Sequence, residues 1–295
     1  MTLKFALKAG CAAVALAAGS TAFATPFYLD VGTNYSNAGT KVNATSTGVK
    51  NQFTFSYDSN TVIHDSDLSG GISAGDTLTT KLGLLRGGNG VGTLDNNQIT
   101  NFLPTASAAS GNNGYGFPNW ILSFNSSGLN GVVTGLGGPG NNVPQFAYGS
   151  GGVLEMFLTL DNGATFINFM DVIVSGGGSS GGGTVLLGTA DFTNVDLGSY
   201  NNLFHSATTS CNGLTGYYDI WSQCGGTPIS FVSSQDTDVT LSDFGAGPVA
   251  HSFEVTTNHD GSGRFDVPEP SSLALLGLGL AGLGFSQRRR MMAAK

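Results

Sequence analysis

Gln52-Phe53-Thr54-Phe55-Ser56-Tyr57 alternates polar and apolar residues with a period of two. Only an extended strand puts every second side chain on one face, so this stretch commits its neighbourhood to a sheet with one buried side. Trp120 to Phe124, Val153 to Leu160, Phe166 to Val174, Thr184 to Phe192, Ile229 to Val232 and Ser252 to Thr257 read as further short strands. Asp161-Asn162-Gly163 supplies a turn signal where two of them sit at hairpin distance. No segment carries the 3.6-residue apolar repeat with caps that a long amphipathic helix needs. Short strands separated by Gly, Asn and Ser clusters predict an all-β fold, a β-sandwich or jelly-roll-like domain over residues 25–257.

Three glycine-rich stretches, Gly87 to Gly92, Gly135 to Asn142 and Gly176 to Gly183, read as loops. They also produce chance motifs. Residues 135–140 fit G-x-G-x-x-G, but Pro139 and Pro144 preclude the helix that dinucleotide binding requires. Residues 177–181 fit G-x-S-x-G, again without the following helix of a nucleophile elbow.

The two ends have a different character. Lys4 and Lys8 precede an apolar run over residues 9–18, and Ala22-Phe23-Ala24 is an A-x-A site. Residues 1–24 therefore read as a secretory signal peptide cleaved after Ala24. At the other end Val267-Pro268-Glu269-Pro270 is followed by an apolar run from Leu273 to Phe285 and by Arg288, Arg289 and Arg290. As a helix, residues 271–286 would reach roughly 24 Å, less than a hydrocarbon core of about 30 Å. The arginines favour the cytoplasmic side, which leaves everything before residue 267 across the membrane. Pro268 and Pro270 keep the box extended and accessible to a processing enzyme. Residues 258–266 are expected to be the linker to it.

This tail, residues 267–290, resembles the PEP-CTERM sorting signal of Gram-negative bacteria: Pro-Glu-Pro box, Leu/Gly-rich span and arginine cluster in fixed order. The resemblance implies that Pro268, Glu269 and Pro270 are recognised by an exosortase, a membrane-embedded cysteine transpeptidase-like enzyme. It implies that Arg288 to Arg290 are the retention stop, and that the membrane contact is transient. It also implies delivery to the cell surface or an exopolysaccharide matrix. Shorter matches, among them Thr25 to Gly32, Phe117 to Trp120, Tyr200 to His205 and Thr257 to Ser262, resemble flocculation-associated PEP-CTERM proteins and imply a part in floc or biofilm formation.

Residues 25–266 hold five basic and 18 acidic residues, a net charge of −13. Nucleic-acid binding is excluded for want of a basic patch. Cys211 and Cys224 are the two cysteines of the mature chain and are expected to form a disulfide in an oxidising compartment; a metal site is the rival.

The best ligand motif is Asp65-Ser66-Asp67-Leu68-Ser69-Gly70, continuing to Asp76. Asp65, Asp67, Ser69 and Asp76 fall at oxygen positions of a calcium loop, with Gly70 at its turn. The flanks do not read as helices, and Asp76 is shorter than the usual Glu. A plain Asp/Ser/Gly turn is the alternative. Tyr217, Tyr218 and Trp221, inside the cysteine loop, are candidates for stacking on sugar rings. Asp236 and Asp238, with Asp243 nearby, form an acidic cluster that reads first as a solvated edge; a weak cation site is an alternative, and it offers the sole foothold for a carbohydrate-active enzyme. His64, His205, His251 and His259 are scattered, with no metalloprotease spacing. The chain is read as a non-catalytic exported matrix protein; the alternatives are a carbohydrate-active enzyme and a calcium-dependent polysaccharide-binding adhesin.

Overall fold

The computed structural model describes residues 25–34, 41–84, 91–104, 120–180, 183–208, 210–225, 228–236 and 239–267. Outside them lie the leader with Ala22 and Ala24, the box Pro268, Glu269 and Pro270, the helix expected over 271–286, and Arg288, Arg289 and Arg290. Among the described residues no helix is long and apolar enough to cross a membrane.

In chain order the strands are β1 (Phe27–Leu29), β2 (Gln52–His64), β3 (Thr77–Leu82), β4 (Gln98–Leu103), β5 (Ile121–Ser127), β6 (Leu129–Gly137), β7 (Val143–Tyr148), β8 (Val153–Thr159), β9 (Ile167–Ser180) and β10 (Gly183–Asp191). Then follow β11 (Phe204–Ser206), one helix, α1 (Tyr217–Gln223), β12 (Ser230–Asp236), β13 (Gly245–Ala246) and β14 (Ser252–Asp266). The all-β expectation holds.

Neighbours in the main sheet run β10-β12-β14-β2-β3-β6-β7-β9-β8-β5, and β9 also pairs β10, so the ladder returns on itself. Two strands branch. Residues 52–56 of β2 pair with β4 and residues 59–64 with β3. The first half of β9 pairs with β8, while Gly177 and Gly178 pair with β7. The facing layers of the expected sandwich are thus parts of one continuous sheet. Its fold brings Phe55 and Tyr57 of β2 edge-on to Phe124 of β5, at 5.7 and 5.5 Å. Every second residue of β2 from Phe53 to Ile63 is buried, as its alternation requires.

Two expectations fail for the same reason. Residues 176–180 and Gly183 are not loop, because β9 runs to Ser180 and β10 begins at Gly183. Residues 258–266 are not a linker; they are the second half of β14 and pair with β2 and β12. In both places the glycines mark close approach. A Cβ on Gly178 would come 2.5 Å from the Phe146 carbonyl oxygen, and one on Gly261 would come 2.5 Å from the Phe55 ring. Likewise β6 extends to Gly137, which leaves only 138–142 as the turn into β7.

A second aromatic cluster closes the end where the chain enters and leaves. Phe204 touches Phe27 at 5.4 Å, Phe169 at 5.7 Å, Tyr217 at 5.9 Å and Phe265 at 5.4 Å. Each buried phenylalanine contributes up to about 3 kcal/mol of apolar transfer, so β1, β9, β11, α1 and β14 are held together here. The Thr25 hydroxyl accepts the Val267 N–H and donates to the Val267 carbonyl, both at 3.1 Å.

Candidate functional site

The acidic loop joins β2 to β3, so strands take the place of the helices of a calcium hand. Asp65 and Asp76, at its two ends, are buried, and Asp67 is exposed. One oxygen from each of the three carboxylates lies within 4.8 Å of the others. Two ligands on opposite sides of one Ca²⁺ are at most about 5 Å apart, given Ca–O distances of 2.3–2.6 Å, so the span suits a single ion. The loop is also self-sufficient in hydrogen bonds. Asp65 accepts the N–H groups of Ser69 and Gly70 at 3.0 and 2.9 Å. Asp76 accepts those of Ser66 and Ser73 at 2.8 and 2.7 Å. Asp67 accepts the Ser69 N–H at 3.0 Å and the Ser73 hydroxyl at 3.2 Å. The Ser69 hydroxyl and N–H beside it hold the Asp67 carboxyl below the usual carboxylate range. Each carboxylate keeps further lone pairs for a cation. Among the described residues no lysine or arginine pairs with the cluster. The single Ser69 hydroxyl proton is shared between Asp67 and the Gly71 carbonyl, 3.2 Å away, and the hydroxyl oxygen retains lone pairs.

The aromatic candidates separate. α1 buries Tyr217 and Ile220 one turn apart, and Tyr217 is completely buried against Phe204 and Phe265. Tyr217 therefore cannot meet a sugar at the surface. Burial and the nearby Asp266 carboxylate push its hydroxyl pKa far up. Tyr218 and Trp221, both half-buried, stack on one another at 6.1 Å and pack against Phe192, each at 5.7 Å. The helix lay hidden in the sequence because its N-cap is Gly216, without a side-chain cap. Asn202 fastens its first turn, donating to Asp219 at 2.9 Å and accepting the Asp219 N–H at 3.2 Å. Cys224, just past its end, is disulfide-bonded. The side chain of its expected partner, Cys211, lies outside the described residues, although Cys211 opens a 3-10 turn.

The second acidic cluster does not form a described carboxylate pair. Asp238 lies outside the described residues. Asp236 accepts the Asp260 N–H at 2.9 Å. Asp243 closes a 3-10 turn, accepting the Thr240 N–H at 2.7 Å and hydroxyl at 2.8 Å, which lowers its pKa.

Sequence spacing gave no hint of one arrangement. β2 and β14 are adjacent, and they bring Ser59 against His259, 200 residues away; the Ser59 hydroxyl lies 2.7 Å from His259 Nε2. His259 Nδ1 is 3.1 Å from the Asp236 backbone carbonyl and 3.8 Å from its carboxylate. With Nδ1 protonated toward Asp236, Nε2 accepts the serine proton. These are the residue types of a hydrolytic triad, but their setting differs. Ser59 is 4% exposed and sits mid-strand between β3 and β14. Its backbone is engaged in the ladder, which leaves no free N–H for an oxyanion. The adjoining cavity, lined also by Thr61, Thr80, Tyr148 and Gln235, measures about 30 Å³. That is the scale of a water molecule. Thr61, Thr80 and Tyr148 form a separate hydroxyl chain along the same cavity, with contacts of 2.9 and 3.1 Å.

The last described residue is Val267, carried there directly by β14. The family model of the PEP-CTERM protein-sorting motif matches residues 266–290. No curated protein and no solved structure matches the chain. A motif of this kind implies exosortase-dependent sorting, export across the inner membrane and a surface or extracellular place. The chain carries a PEP-CTERM protein-sorting motif, attached without a spacer to the end of an all-β body.

Proposed function

We propose that this is a non-catalytic matrix protein of a Gram-negative surface, released or anchored by exosortase and contributing to exopolysaccharide-associated aggregation in flocs or biofilm. The observation that carries the reading is the sorting motif at 266–290. Supporting it are the acidic composition, which suits a hydrated polysaccharide, and the disulfide at Cys224, which suits an oxidising compartment. The enclosure of Ser59 and His259 favours a non-catalytic interior. Tyr218 and Trp221 are the aromatic pair proposed to contact sugar. The test compares settling and polysaccharide retention in cells with the chain, without it, and with a form lacking residues 267–295. Both altered strains should settle more slowly. Unchanged settling in cells without the chain would overturn the aggregation role, and reducing ends released from the polysaccharide by purified protein would overturn the non-catalytic one.

A second reading, a calcium-dependent adhesin, is favoured by the convergence of Asp65, Asp67 and Asp76. Calcium would order the β2–β3 loop and take no part in a reaction. Calorimetric titration of wild type and of Asp65→Ala plus Asp67→Ala decides it. Heat in wild type alone supports the site; no heat and no change in wild-type Tm removes it.

A further inference from the structure

The two residues at which the body begins and ends meet. If the leader is cut after Ala24, Thr25 becomes the first residue, and its hydroxyl already holds Val267. The carboxylate preceding Val267 is that of Asp266, at the tip of β14. Its Oδ1 is buried without a hydrogen-bond partner, as is the hydroxyl of Tyr217 on α1. Its Oδ2 lies 3.8 Å from Nε of Arg264, whose side chain is about half exposed. A buried carboxylate oxygen with no donor is costly. Burial raises the Asp266 pKa, opposed by Arg264 and by the backbone N–H of Thr25. That N–H is the group that leader cleavage transforms.

We propose that leader removal completes a binding site for a primary ammonium, and that its ligand is the chain's own N-terminus. Hydrolysis of the Ala24–Thr25 bond consumes one water, leaves a carboxylate on Ala24 and leaves an α-ammonium on Thr25. A single amide N–H becomes three donors with a positive charge. The ammonium pairs with Asp266 and supplies the donor that Oδ1 lacks. Because Asp266 and Val267 are the first residues of the sorting motif, this clasp fixes the strand end from which the Pro-Glu-Pro box leaves. Processing at one end thereby sets the geometry at the other.

The charged and titratable groups beside Asp266 are Arg264 and the Tyr217 hydroxyl. Tyr217 titrates far above the range of the amine. Pairing with Asp266 raises the amine above its ordinary value of about 8. Its contribution to stability is therefore complete below about pH 8 and is lost as pH rises through the raised value.

The test uses the exported, leader-cleaved full chain, and its first step is the mass of the N-terminal peptide. A first residue other than Thr25 would overturn the cleavage reading on which the clasp rests. Given Thr25, the α-amine is acylated at pH 7 in the folded protein, in denaturant, and in Asp266→Asn. We expect the folded wild type to react about tenfold more slowly than either, as a one-unit rise in amine pKa gives. Equal rates in folded and denatured wild type overturn the clasp without reliance on any variant. A Gly-Ser insertion between Ala24 and Thr25 makes the Thr25 nitrogen an amide again. The insertion and Asp266→Asn should each lower Tm at pH 7 by several degrees, abolish the alkaline loss, and add nothing to one another when combined. Additive losses, or an alkaline limb that survives the insertion, contradict it.

Discussion

Thr25 and Val267 are joined across 242 residues by one hydroxyl that both donates and accepts, each bond 3.1 Å long and buried. Thr25→Val removes both bonds at nearly constant volume and strands the N–H and carbonyl of Val267. The expected loss is about 2 kcal/mol by chemical denaturation, with Thr25→Ser close to wild type. Equal stability of Thr25→Val and wild type would show that the two ends do not meet.

Gly261 separates the strand from a linker. Its missing Cβ is where the Phe55 ring lies, 2.5 Å from the ideal Cβ position. Gly261→Val should cost about 1–3 kcal/mol by overpacking. A linker residue would tolerate the change within about 0.5 kcal/mol, and that result would contradict the pairing of β14 with β2 and β12.

His205 gives the body an acid limb. It stacks on Tyr28 at 4.8 Å and meets the Thr215 hydroxyl at 3.2 Å. Burial lowers its pKa, against the pull of Asp30 and Asp219. The neutral ring is thus favoured in the folded state, while the unfolded chain takes up a proton below about pH 6.5. Stability is full above that value and falls as pH drops below it. The lowered carboxyls of Asp30, Asp161 and Asp243 act near and below their ordinary range and the raised carboxyls of Asp171 and Asp266 above it, so His205 supplies one part of the slope from pH 6.5 to 5. His205→Gln should remove that part of the slope of Tm; an unchanged slope would contradict the assignment.

Ser59 should resist a serine-directed fluorophosphonate. Its hydroxyl is bonded to His259 at 2.7 Å, but Ser59 is buried in mid-strand, out of the reagent's reach. Mass spectrometry of the treated protein should find no adduct. An adduct at Ser59 that His259→Gln abolishes would turn the interior pair into an active site.

What could be read from the chain followed from where apolar side chains stand. β2 was plain because Phe53, Phe55 and Tyr57 occupy its inward face. The second half of β14 was not, because its inward positions include His259, Gly261 and Gly263, and the space above them is filled by rings from β2 and β12. Residues 176–180 of β9 misled because Gly177 and Gly178 leave room for the backbones of β10 and β7. The Asp65–Asp67–Asp76 cluster was legible because its ligand types lie within twelve residues and the intervening turn is local. Ser59 with His259, and Thr25 with Val267, were not, since only the sheet's topology makes them neighbours. Tyr217 and Tyr218 looked equivalent; helical phase sends the first inward and leaves the second half-buried.

The central claim is that the body is cargo for the box that leaves β14. Glu269→Ala with Pro270→Ala keeps every described contact, so folding should be unaffected. The mass of the mature protein and its surface display are measured in cells that have the exosortase. The expected result is a product that keeps its tail, with a mass larger than wild type, and stays in the inner membrane. A variant of wild-type mature mass (allowing for the two substitutions), displayed at the surface as before, would contradict the account.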